Sequence, residues 1–214
     1  MMLKLKLTKL VWISTYLRFI LGVYFPQRPI VRKVKQVKLG NQSHTACSKV
    51  YQSNSKLGNG LLFFWCGEHR TCLGWVLLRS AESLEIVYST LLSRFSVLPR
   101  IICYDNGCNL SEYCYNRAPK YGLLVTSQFF CRHFANTIFV VDAFHFKGHI
   151  NCSHGYNSSS LMAFKGKSSV VHEQQNSKLA KLKISSMFMR FDNYVTLIRT
   201  ITTLINFKER QKFQ

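Results

Sequence analysis

The chain has 214 residues, with 29 Lys and Arg against 9 Asp and Glu, a formal net charge of +20 and 47% hydrophobic residues. That length and apolar content suit one domain with a real core; 16 Phe, 10 Tyr and 3 Trp exclude sustained disorder, and 11 Gly with 4 Pro exclude a collagen-like or low-complexity chain. The charge predicts a polyanionic partner, either nucleic acid or an anionic membrane surface.

The charge is unevenly placed. Residues 1–39 carry nine Lys or Arg, and no acid precedes Glu68. Lys4, Lys6 and Lys9 lead into the apolar run Leu10–Leu17, and Phe19–Phe25 is apolar again. Arg18 splits the two, so neither half reaches the roughly 20 residues of a spanning helix. A signal anchor, a basic amphipathic helix and a mispredicted segment are the readings open for 1–45. Residues 26–60, with Pro26, Pro29, Arg32, Lys33, Lys35 and Lys38, read as a linker or arm. The 8 Cys lie mostly near a His, a pattern of metal ligation or buried thiols in a reducing compartment. Four N-x-S sequons, at Asn41, Asn109, Asn151 and Asn157, are of the number expected by chance in so Ser- and Asn-rich a chain.

From Leu61 the pattern sharpens. Leu61–Trp65 and Leu73–Leu78 are short apolar runs around a Cys/His-bearing turn, which predicts a hairpin. Leu84, Val87, Tyr88, Leu91, Leu92 and Phe95 form one helical face. Arg100–Tyr104 reads as a buried strand ending at Asp105, with a short helix after it, and Phe139–Val141 as a strand running into Asp142. A helix is expected from about His172, with Leu179, Leu182, Ile184, Met187 and Phe191 as its apolar positions. Another, capped by Asp192 or Asn193, carries Tyr194, Leu197, Ile198, Ile201, Leu204 and Ile205 on one face. This order predicts an α/β fold with helices layered on a mixed sheet.

Two constellations could do chemistry. Asp105 at a strand end and Glu173 in a helix's first turn could hold divalent cations for phosphodiester transfer; equally, they could be a helix cap and a dipole-complementing charge. Asp142, His145, His149 and Cys152, with His154 close behind, have zinc-ligand spacing. Cys66, His69 and Cys72 in the hairpin turn are similar, and Cys108 and Cys114 add candidate thiolates.

Three segments carry a family resemblance. Tyr104–Leu110 with Tyr113, Cys114 and Asn116–Pro119, then Val141–His149 with Cys152 and Tyr156, then Val171–Ser177 with Leu179, resemble in order the corresponding segments of KDZ (Kyakuja–Dileera–Zisupton) transposases. The likeness spans about Cys47 to Asn206. It implies a ribonuclease H-like mixed sheet with flanking helices and a DDE site that cuts and joins DNA with Mg²⁺ or Mn²⁺. Asp105 is then the second catalytic acid and Glu173 the third, while His145, His149 and Cys152 fall on the family's Cys/His cluster, a zinc-binding insert. Cys66, His69 and Cys108 are further metal candidates.

The departures shape the expectation. The first catalytic Asp belongs on a strand upstream of Leu61, where no acid exists, so the first-strand region is expected to be degraded or missing. Cys66 and His69 have two residues between them where the family usually has one, and Ala118 replaces a Glu. The expected organisation is a basic arm at 1–45, a transposase core at 46–207 and a tail at 208–214. The expected function is a transposase remnant in the nucleus that binds DNA, forms homo-oligomers, takes no small-molecule substrate and no longer performs strand transfer. Two other readings stay open: a zinc-stabilised DNA- or protein-binding module, and a small protein anchored to a membrane through residues 4–25.

Overall fold

In the computed structural model the described residues are 7–8, 12–13, 23–24, 60–78, 82–95, 97–117, 134–182, 186 and 188–213. Three two-residue strands come first: β1 (Leu7–Thr8), β2 (Trp12–Ile13) and β3 (Val23–Tyr24). The rest of the order is β4 (Leu61–Trp65), β5 (Cys72–Leu77), α1 (Leu84–Arg94), β6 (Ile101–Cys103), α2 (Gly107–Arg117), β7 (Ile138–Val140), α3 (Ala143–Phe146), α4 (Val171–Ala180) and α5 (Phe191–Arg210). The chain is a mixed α/β protein, as its periodicities predict.

The sheet runs β3-β5-β4-β2-β6-β7, and β1 also lies along β4. β4 and β5 are antiparallel and β6 and β7 parallel, while β2 is parallel to β4 and antiparallel to β6. Where composition suggested a basic arm, the N-terminal segment thus contributes strands to the middle and edge of the sheet.

β4 shows why its run is apolar without alternation. Leu62 and Phe64 face a core with Val87, Tyr88 and Leu91 of α1 and Leu110 and Cys114 of α2. Leu61, Phe63 and Trp65 face a second core with Leu179 of α4 and Tyr194 and Ile198 of α5. Helices therefore cover both faces of this strand, and every one of its side chains is buried. Ser83 caps α1, its hydroxyl accepting from the Ile86 amide.

The C-terminal helix departs from expectation at both ends. Its N-cap is Arg190, with Asp192 in the first turn instead of at the cap, where it still complements the helix dipole. The helix continues to Arg210 with Glu209 buried, so the segment from 208 is in part helix where a tail was expected. Met187 and Ile184 fall outside the described residues, as does most of 1–59. Among the described residues no helix is long and apolar enough to cross a membrane.

Candidate metal centres at the strand ends

The register of β6 against β7 places the chemistry. Cys103 pairs with Val140, and the Tyr104 amide donates to the Val140 carbonyl at 2.9 Å. Asp105 and Asp142 each stand two residues past that pair, so two parallel strands release two acids side by side at one edge of the sheet. Both are buried, at 3% and 0% exposure. Asp142 caps α3: its Oδ1 accepts from the Phe144 and His145 amides at 3.0 Å each. Its Oδ2 accepts from Nδ1 of His145 at 2.5 Å. Burial alone would raise the Asp142 pKa, but these hydrogen bonds, with the charges of His145 and His172, hold the carboxyl below its ordinary value.

α4 brings two more groups to this edge. His172, Gln175, Asn176 and Leu179 form its buried stripe. Gln175 Nε2 donates to the Arg70 carbonyl at 3.4 Å, and Asn176 Oδ1 accepts from the Trp65 indole at 3.3 Å. The helix is thereby pinned to the hairpin turn and to β4. Its first turn then sets His172 and Glu173 beside Asp142 and His145. Glu173 Oε1 lies 3.6 Å from His145 Nε2 and 4.0 Å from His172 Nε2. Burial lowers the His172 pKa, against the opposing pull of Asp142, Glu173 and Asp105. Of the sequence-predicted pair, Glu173 lies beside His145 and His172, while Asp105 stands next to Asp142 at the end of the neighbouring strand. One ligand atom each from Asp142, His145 and His172 lie within 4.8 Å of one another.

A second group lies behind Asp105. Cys108, on the first turn of α2, His149 and Cys152 also place their ligand atoms within 4.8 Å of one another. His149 Nδ1 is 3.5 Å from Cys108 Sγ and 3.6 Å from Cys152 Sγ. Its other nitrogen, Nε2, donates to the Asp105 carbonyl at 2.9 Å, which leaves a lone pair on Nδ1 facing the thiols. Sulfur at about 2.3 Å and nitrogen at about 2.05 Å from one tetrahedral zinc stand about 3.6 Å apart. The observed separations fit that value without rearrangement.

The structure therefore divides the sequence-predicted ligands. His149, Cys152 and Cys108 come together, His145 turns to the acidic edge, and Cys66 and His69 join neither group. Cys66 is buried in the hairpin turn, its amide donating to the Thr71 carbonyl at 2.8 Å, and burial raises its thiol pKa. Cys72 and Cys103 are likewise buried and raised, and burial pushes Cys114 up to about 12. These four behave as core thiols. Cys66, Cys72, Cys103, Cys108, Cys114 and Cys152 are all free of disulfides.

His172 is the functional candidate that the sequence pattern hides. Its neighbour Glu173 and the i, i+3 pair Asp142 and His145 were the available signals. Compared with known proteins, the chain matches no family model, no curated protein and no solved structure.

Proposed function

We propose that the chain is a DNA-binding protein derived from a KDZ-type transposase, built on a ribonuclease H-like core and acting in the nucleus. It binds zinc through Cys108, His149 and Cys152 and does not carry out strand transfer by itself. The observation that carries this reading is the shared edge. Asp105 follows β6 beside Asp142 at the end of the parallel β7, and Glu173 on α4 lies 3.6 Å from His145, which is hydrogen-bonded to Asp142.

The loss of strand transfer rests on direction and composition. β2 lies beside β6, where a first strand would have to lie to bring an acid to Asp105. It runs antiparallel to β6, so its C-terminal end points to the opposite edge of the sheet. No acid precedes Glu68 in any case. A two-metal phosphoryl transfer needs a carboxylate bridging both ions, and this segment offers none. Zinc at Cys108, His149 and Cys152 serves structure, since His149 ties that site to the Asp105 backbone.

The test is a DNA nicking and strand-transfer assay with Mg²⁺ or Mn²⁺ on linear duplex. The expected result is retention of DNA without cleavage or joining. Cleavage abolished by Glu173→Ala would overturn the claim of inactivity, and failure to bind DNA at low salt would overturn the reading as a whole.

A further inference from the structure

The acidic edge carries more than a weakened magnesium site. His172 is 2% exposed, and its Nε2 has no hydrogen-bond partner. An imidazole nitrogen buried without a partner has lost its water for nothing in return, a cost that a metal bond would offset. One ring nitrogen of His172 lies within 4.8 Å of a ligand atom of Asp142 and of one of His145.

The hydrogen bond from His145 Nδ1 to Asp142 Oδ2 settles what His145 can offer. A proton on Nδ1 leaves the lone pair on Nε2, and Nε2 faces Glu173. This is the carboxylate–histidine arrangement that orients metal-binding imidazoles and raises their basicity. Two nitrogen or oxygen ligands of one ion, each at about 2.1 Å, stand no more than about 4.2 Å apart. The separations of 3.6 Å and 4.0 Å from Glu173 Oε1 to the two imidazole nitrogens lie inside that bound. Glu173, with 38% of its side chain exposed, leaves a path from solvent.

We infer that His145 Nε2, His172 Nε2 and Glu173 Oε1 bind a first-row divalent ion of the zinc class, with Asp142 as the residue that positions His145. Two imidazoles and a carboxylate suit Zn²⁺, Co²⁺ or Mn²⁺, whereas Mg²⁺ prefers oxygen and keeps its water. The site is distinct from the thiolate group, whose members are Cys108, His149 and Cys152. It stands on this edge alone and does not depend on descent from a transposase.

Cobalt distinguishes the two sites, because only a thiolate-bound Co²⁺ gives sulfur-to-metal charge-transfer absorption. The full chain, stripped of metal and titrated with Co²⁺, should take up two ions. Glu173→Gln and His172→Gln should each lower uptake to one ion and leave the charge-transfer band intact. Cys108→Ser with Cys152→Ser should remove the band and leave one ion, bound without it. Asp142→Asn should weaken the band-free ion about 10–100-fold, as loss of an orienting carboxylate does. Because Glu173 is partly exposed, Glu173→Gln preserves the fold if the buried His172 variant does not. Uptake of a single ion that carries the band, or two ions retained by folded Glu173→Gln, would overturn the inference. Neither result would bear on DNA binding.

Discussion

At Cys72 the β4–β5 ladder passes a register shift between Phe64 and Trp65, and one side chain from the far end of the chain makes good the backbone there. Asn206 Oδ1 accepts from the Cys72 amide at 2.6 Å, and its Nδ2 donates to the Cys72 carbonyl at 2.8 Å. Asn206→Leu keeps the volume and leaves both buried backbone groups unpaired, a cost of about 2–4 kcal/mol. Urea denaturation should show the midpoint fall with little change in slope; an unmoved midpoint would mean the clamp contributes no net energy.

Glu209, one turn on, makes a different contribution. Its carboxylate lies 2.8 Å from Lys212 Nζ and 3.7 Å from Lys178 Nζ. Burial alone would raise its pKa, but the hydrogen bond and charge of Lys212, then Lys178, bring it below the ordinary 4.5. A lowered folded-state pKa means the contribution is fully present above about pH 4.5 and is lost as pH falls through the lower folded value. Wild type should therefore exceed Glu209→Gln in thermal stability at pH 7, and the gap should close in acid. A gap that is constant with pH would rule out ionisation as its source.

Among the elements, α2 begins with little room. A Cβ on Gly107 would stand 2.4 Å from the Val140 carbonyl oxygen and 2.8 Å from its carbon, both backbone atoms that cannot yield. Glycine is what lets α2 start against β7 and carry Cys108 to His149. Gly107→Ala should cost about 3 kcal/mol or more and weaken the thiolate-bound metal together with stability. Ser111→Ala, buried one turn later on the same helix, is the control, expected to leave metal uptake intact. Equal metal affinity in folded Gly107→Ala would show that α2 adapts without moving Cys108.

The same elements show what was legible in the sequence. β4 could be read because two cores demand an unbroken apolar run, and α1 because a single core gives a single stripe. α4 was legible only at its start near His172. Its apolar positions were expected to run on to Phe191, but the helix ends at Ala180 and its buried face of His172, Gln175, Asn176 and Leu179 is mostly polar. Those side chains answer to the Arg70 carbonyl, the Trp65 indole and the acidic edge, none of which leaves a period in sequence. Asp105 was visible as an acid ending a strand, but its alignment with Asp142 depends on the β6–β7 register. Likewise, the pairing of Cys108 with His149 closes a span of 41 residues that no local spacing reveals.

On the scale of the whole molecule, the charge is strongly one-sided, with 29 Lys and Arg against 9 Asp and Glu. Of the nine acids, Asp105, Asp142 and Glu173 are drawn to one sheet edge and Glu209 is paired with lysines, so the surplus of +20 is left to act at long range. Such a charge attracts DNA through phosphate neutralisation, and each neutralised phosphate releases counterions. If the chain covers six or more phosphates, affinity for duplex DNA should fall about a thousand-fold or more between about 50 mM and about 200 mM salt. An edge of carboxylates is expected to take no part in that attraction. Asp105→Ala should accordingly leave the salt slope unchanged, in a binding titration by fluorescence anisotropy. A shallow slope would instead point to recognition by base contacts or to an uncharged partner. A slope changed by Asp105→Ala would place the DNA across the metal-binding edge and return that edge to a direct role in handling the strand.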